Sequence, residues 1–215
     1  MRYFLALLLV VLISCSESTD VRENIPPVKI GEQIWMLKNL DVERFRNGDI
    51  IPQISDSLEW INTESPAWCY YDNSPEIGKI YGRLYNKFAV DDPRGLAPKG
   101  WHIPTGSDWA ELQEYLGNPD SAAGKLKSIG TIEDGTGLWR SPNTGATNES
   151  GFTALPGGYR FPDGWFYGEG MYGYWWAYTG NDTNTWHRFI YYYGAEIHYL
   201  DYGTNAGLSV RCIKD

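Results

Sequence analysis

The chain has 215 residues, 42% of them hydrophobic, which suffices for one core and is short for more than two domains. A formal net charge of -9 without any cluster of Lys or Arg argues against nucleic acid and against adsorption to anionic lipid through a basic patch. The chain carries 10 Trp and 16 Tyr against 7 Phe, a balance suited to rings that stay half wet, because Trp and Tyr each carry a polar handle.

Met1 and Arg2 precede an unbroken apolar run from Tyr3 to Ile13. As a helix this run rises only about 16 Å, half a bilayer core, so it reads as the core of a signal peptide and not as a span. It ends in Leu12-Ile13-Ser14-Cys15, which resembles the lipobox of bacterial lipoproteins. The resemblance implies cleavage before Cys15 and acylation of its thiol and new amine, and several acyl chains together anchor stably. An ordinary secretory signal with an incidental Cys is the alternative. Residues 1–14 are thus expected to be a lipoprotein signal peptide and residues 15–26 an acylated Cys with a polar, acidic tether. Residues 27–215 are expected to form one domain. The expected address is the outer membrane or cell surface, outside the cytoplasm, with the membrane met through the lipid.

Val28 to Met36 reads as a tight hairpin turning at Gly31-Glu32. Residues 41–66 read as a long polar surface excursion with little regular structure. Trp68 to Tyr71 is a short aromatic run, and Asp72-Asn73-Ser74-Pro75 a turn. Tyr81, Leu84, Tyr85 and Phe88 recur at helical spacing, which predicts a helix from Tyr81 to Val90 stopped by Asp91-Asp92-Pro93. A second helix starts at Thr105 as N-cap with Asp108 three residues on, buries Trp109, Leu112 and Leu116, and stops at Gly117. Ala122 to Ser128 offers one or two further turns of helix. Residues 130–148 read as a loop anchored by Leu138-Trp139.

From Gly151 onward, short aromatic runs alternate with Gly, Asn and Asp, the pattern of consecutive antiparallel strands joined by tight turns. Adjacent Trp175 and Trp176 send one ring to each side of a sheet. Phe152, Leu155, Tyr159, Leu208 and Val210 read as core. The Tyr-rich stretch from Arg188 to Tyr202 holds more rings than one face can bury, so some of its Tyr and His198 are exposed. The layout is α+β, with two helices set apart from antiparallel sheets.

Several segments match one family in order. GEQIWMLKNL, YGRLYNKFAV, GLAPKGWHIPTGSDWAEL, TNESGFTALPGGYR, and GYWWAYT followed by GLSVRCIKD each resemble a motif of the Fibrobacter succinogenes major paralogous domain. The match covers about residues 28–215, nearly everything after the tether. It implies a C-type-lectin-like fold related to the sulfatase-modifying enzymes, in which the terminal strands pair, two helices flank them and a second small sheet carries a variable surface. By the same resemblance one of Trp175 and Trp176 is core. Many members place a Cys where this chain has Ala97, so a family disulfide from there to Cys212 cannot form. Cys69 is then the one remaining partner for Cys212, and two buried free thiols are the alternative.

The chain has no G-x-S-x-G, H-E-x-x-H, Walker loop or C-x-x-C. His102 reads as a packed, hydrogen-bonded residue, whereas His187 and His198 lie on strands and could line a surface. No pair of the three has metal-ligand spacing. Asn143 to Ser150 and Asn181-Asp182 have calcium-type oxygens but read as turn residues. The cysteines do not match the redox arrangement of the sulfatase-modifying enzymes. No catalytic residue, metal or cofactor is therefore expected, and the chain is not expected to be an enzyme.

The expected ligand surface is formed by a loop region from Gly164 to Tyr174 and by the stretch from Thr185 to Tyr202, and comprises Trp165, Tyr172, Tyr191, Tyr193, His198, Tyr199 and Tyr202. Clustered Tyr rings offer rigid contact area with polar tips, for a glycan face or a protein epitope. A sheet that uses Tyr merely for strand propensity is the plain alternative. The expected function is a lipid-anchored binding or adhesion module for a glycan or a protein. A structural envelope lipoprotein, or a divergent enzyme on the sulfatase-modifying scaffold, are the alternatives. The frame GYWWAYT to GLSVRCIKD also resembles that of ligand-binding proteins diversified by retroelements, whose variable residues lie between the frame motifs, which serves only to locate the surface.

Overall fold

The computed structural model of the protein describes residues 27–178, 186–201 and 203–215. The expected signal peptide, Cys15, the tether, Asn181-Asp182 and Tyr202 lie outside the described residues. The first hairpin forms as expected: β1 (Pro27–Ile30) pairs with β2 (Gln33–Met36), and Gly31 takes the left-handed turn position at φ 62°. Much later in the chain, β11 (Ile213–Lys214) pairs with β2 on one side and with β5 (Trp101–His102) on the other. The resulting four-stranded sheet ties both ends of the domain together in the order β1-β2-β11-β5.

Two expectations about helices are corrected. The polar stretch 41–66 contains α1 (Ser57–Asn62), capped by Asp56 and fixed by one buried side chain, Trp60, whose indole N–H donates to Asn205 O at 2.6 Å. The helix expected from Tyr81 to Val90 is three pieces. α2 (Pro75–Tyr81) stops at Gly82, φ 78°, the two-residue strand β4 (Leu84–Tyr85) follows, and Asn86 caps the single turn α3 (Lys87–Val90). β4 pairs with β3 (Trp68–Cys69) as a separate two-stranded sheet. The 3-10 turn at Tyr71–Asn73 agrees with the expected turn, and Asp72 and Asn73 both take positive φ there.

The second expected helix is present as α4 (Gly106–Leu116). Thr105 caps it with a complete capping box to Asp108, and Trp109, Leu112 and Leu116 are buried. α5 (Ala122–Leu126) follows. No helix among the described residues is long and apolar enough to cross a membrane.

The aromatic last third builds β6 (Gly157–Arg160), β7 (Phe166–Glu169), β8 (Tyr172–Trp176), β9 (Trp186–Tyr191) and β10 (His198–Asp201). They form one five-stranded sheet in the order β10-β9-β8-β6-β7, larger than the small second sheet that the resemblance implies. β8, β9 and β10 run as the expected antiparallel meander, but β6 meets β8 in parallel at Gly158 and Gly173. Neither position has room for a side chain: a Cβ on Gly158, at φ 63°, would sit 2.5 Å from Tyr167 O of the neighbouring β7, and one on Gly173 2.8 Å from Leu155 O.

Strand alternation divides the interior. Trp35, Trp175 and Ile213 enter a cluster with Trp109, Leu112 and Phe152, while their chain neighbours Met36, Trp176 and Cys212 enter another with Tyr85, Leu208 and Val210. Trp175 and Trp176 are thus both core, where the resemblance implies one. Between the clusters, Asn39 Oδ1 accepts from Trp175 Nε1 at 2.9 Å and from two nitrogens of the fully buried Arg211. Arg211 also donates to the carbonyls of Met36, Leu37 and Phe152. Burial lowers its pKa, and carbonyl oxygens do the work of a counter-ion.

Candidate ligand-binding face

On β8, Tyr172, Tyr174 and Trp176 point to one side, and pairing with β9 sets Tyr191, Phe189 and His187 opposite them. β10 continues the row with His198 opposite Phe189. From the other edge, Tyr167 of β7 and Tyr159 of β6 face each other and meet the same side. The rings touch in sequence across all five strands. Tyr167 lies 6.0 Å from Tyr159, Tyr159 4.5 Å from Tyr174, Tyr174 5.0 Å from Phe189, and Phe189 5.1 Å from His198. His198 then stacks on Tyr191 at 4.9 Å, and Tyr191 on Tyr193 at 4.3 Å. The result is a continuous cross-strand ladder of aromatic rings.

The ladder is graded in depth. Tyr174 is buried and its neighbours Trp176 and His187 are fully so, whereas Tyr159, Tyr172, Phe189, Tyr191 and His198 are half-buried. Tyr167 and Tyr193, at the two ends, are 45% and 55% exposed. His198 Nε2 is buried and has no hydrogen-bond partner among the described residues. Burial raises the pKa of Tyr191, helped by the Glu196 carboxylate to which its hydroxyl is hydrogen-bonded.

The turn between β9 and β10, which carries Tyr193, is held from below. Lys127, fully buried at the end of α5, donates to the carbonyls of Tyr191 at 3.3 Å and Gly194 at 2.9 Å. Ala123 N donates to Ala195 O, and Thr144 N to Tyr192 O, each at 2.8 Å. Burial pulls the Lys127 pKa down to about 8. The 143–150 loop is spent on structure too: Asn143 Nδ2 reaches the carbonyls of Ser128 and Gly130, and Asn148 binds Thr153. The tip of the ladder is therefore set in a fixed geometry before any ligand arrives.

Of the residues expected at the surface, Tyr172, Tyr191, Tyr193 and His198 come together in the ladder. Tyr199 does not. It pairs with Arg188 on the opposite side of the sheet, where it is 65% exposed under the Arg188 guanidinium at 5.6 Å. Trp165, 66% exposed beside the β6–β7 turn, makes no ring contact with the ladder among the described residues. Tyr159 and Tyr167 belong to the ladder, although the sequence reads the first as core and leaves the second unnamed within an expected loop region that is strand β7. Their signal was the turn Pro162-Asp163-Gly164: it pairs Phe161 with Trp165, and alternation then sets Tyr159 beside Tyr167.

Two other sites are corrected. Cys69 and Cys212 form no disulfide: both are free and buried, in different core clusters, and burial pushes each thiol up to about 12. His187 is fully buried, not at a surface. His102 is hydrogen-bonded as expected, with Nδ1 2.9 Å from Asp215, but it is part-exposed and not packed. It borders a cavity of about 420 Å³ over Leu96, Ala97 and Ile103. Among the described residues no three His, Cys, Asp or Glu are placed to hold a metal ion.

No curated protein and no solved structure matches the chain. The model of one family, the Fibrobacter succinogenes major domain, matches residues 28–214. That span runs from β1 to β11 and takes in both large sheets, so the chain belongs to the Fibrobacter succinogenes major domain family.

Proposed function

We propose that this protein is a lipid-anchored binding or adhesion module on the cell surface, of C-type-lectin-like fold, which holds a glycan or another protein without chemistry. The observation that carries the reading is the aromatic ladder, whose rings emerge from the core toward two exposed ends. Tyr rings with polar tips supply contact area at little entropic cost, and the Lys127 clamp removes most of what ordering the turn would cost. Pairing of β2 with β11 is in keeping with the fold proposed.

The packing described lies within residues 27–215, so a soluble fragment of that span keeps every contact named above. Applied to a glycan array and to intact cells, it is expected to bind one of them saturably. Changing Trp165, Tyr167 and Tyr193 together to Ala should abolish that binding, and retained binding would refute the surface. The anchor is tested separately: Cys15→Ala should release the full chain from membranes, and membrane retention of that variant would refute the lipoprotein reading.

A further inference from the structure

The ladder presents edges. Phe189 and His198 stack at an interplanar angle of 26°, Tyr191 and His198 at 24°, and Tyr174 and Phe189 at 17°. Tyr174, Phe189, Tyr191 and His198 therefore each have a neighbouring ring, not solvent, against at least one face. A saccharide that stacks on an aromatic residue needs an open ring face, and among the described residues the exposed rings of the ladder are Tyr167 and Tyr193, at its ends. Between the ends the ladder offers the edges of the half-buried rings Tyr159, Tyr172, Phe189, Tyr191 and His198, on a sheet about 19 Å wide at ordinary strand spacing. That is contact chemistry for a polypeptide surface.

Each exposed end of the ladder has a carboxylate beside it, and the buried Lys127 faces the one at Glu196 from beneath the turn. At one end the Tyr191 hydroxyl meets Glu196, and at the other the Tyr167 hydroxyl lies 3.4 Å from Asp163. Among the described residues no lysine or arginine belongs to the ladder: Arg188 stands on the opposite side of the sheet and Lys127 is buried beneath the turn. The chain as a whole carries -9. Exposed Tyr faces beside carboxylates suit an ammonium or guanidinium, which gains from the ring and the charge together.

We propose that the partner of this face is a polypeptide surface bearing lysine or arginine side chains, which dock at the Glu196 and Asp163 ends of the ladder. The inference rests on the reading of the ladder as a binding face. It is tested by panning residues 27–215 against a displayed library of random 12-residue peptides, beside the glycan array. Selected peptides are expected to be enriched in Lys and Arg, and to lose at least tenfold in affinity between about 50 mM and 500 mM salt. Tyr193→Ala and Glu196→Gln should each weaken them at least fivefold, and Tyr199→Ala on the opposite side less than twofold. Asp163→Asn serves at the other end if Glu196→Gln unfolds the turn. Peptides without basic enrichment, or loss in Tyr199→Ala equal to that in Tyr193→Ala, would overturn the proposal. Tyr193-dependent binding of glycans with none of peptides would overturn it while leaving the binding function standing. No binding of either would overturn both.

Discussion

Arg211 aims two of its nitrogens, at 3.0 and 2.8 Å, at a single neutral oxygen, Asn39 Oδ1. The same oxygen accepts from Trp175, so one amide holds a cation of the last strand region and a ring of the five-stranded sheet. Asn39→Ala strips an acceptor from a buried guanidinium and from a buried indole at once. The expected cost is about 3 kcal/mol or more, read as a lower urea midpoint with unchanged m. Asn39→Asp keeps the acceptor and adds a counter-charge, but loses the donor to Tyr81 O, and should cost less than Ala. Equal losses for the two variants would mean that Arg211 does not depend on this oxygen.

The ladder predicts a division between stability and binding. Tyr174 is 4% exposed, so Tyr174→Ala should destabilise by about 3 kcal/mol or more. Tyr193→Ala should change stability by about 0.5 kcal/mol or less, because its ring is half in solvent already. Thermal melts of the two variants decide this, and a large loss in Tyr193→Ala would make the exposed end part of the scaffold.

Alkaline titration should show two opposed effects. Lys127 has its pKa lowered from 10.5 to about 8, so the unfolded chain holds a proton there that the folded chain has lost. Its contribution to stability therefore rises between about pH 8 and pH 10.5 and is lost as pH falls through 8. Cys69 and Cys212, raised from 9.0 to about 12, act the other way: their contribution is complete below pH 9 and disappears as pH climbs toward 12. Comparing the wild type with Lys127→Met isolates the first effect. The wild type should gain on the variant by up to about 1.4 kcal/mol per pH unit from pH 8 to pH 10. A pH-independent difference would contradict a Lys127 pKa lowered by folding.

The two thiols should be silent in the native domain. A thiol-reactive dye added to residues 27–215 at pH 8 is expected to label neither Cys69 nor Cys212, and to label both once the domain is unfolded without reductant. Labelling of neither in the unfolded protein would reveal a disulfide that the structure lacks.

Gly124 tests the support of the turn between β9 and β10. A Cβ there would lie 2.2 Å from Gly145 O, a backbone atom in the loop that also contacts Ala195. Gly124→Ala should therefore destabilise by about 1–3 kcal/mol, although Ala is the better helix former. It should also speed hydrogen exchange at Ala123 and Thr144, whose amides hold the turn.

What the sequence revealed followed local chemistry. Gly31-Glu32 specifies its turn alone, and Thr105 with Asp108 specifies a helix start, so both were legible. Tyr81 to Val90 misled because its helical spacing is real, while the decisive features are a positive φ at Gly82 and the Asn86 cap. α1 was hidden because only Trp60 of it is buried, and that ring's partner, Asn205, is 145 residues away. In the site, strand alternation requires the neighbours His198 and Tyr199 to face opposite sides of the sheet. Which of them joins Tyr191 depends on the length and path of the turn at 192–197, which Lys127 and α5 determine from a distance. β6 meets β8 in parallel where Gly158 pairs with Gly173, a relation that no local pattern carries.

The place of β11 bears on how the protein is made. The hairpin that opens the domain has its partner strand at Ile213, and Met36 O waits for Arg211 across 175 positions of chain. Such distant closure makes folding slow, because most of the chain must be ordered before the contact repays it. It also means that a chain emerging in order cannot complete its first sheet until nearly the whole domain is out. Until then the Trp35 and Met36 faces stay open to whatever chaperone holds them.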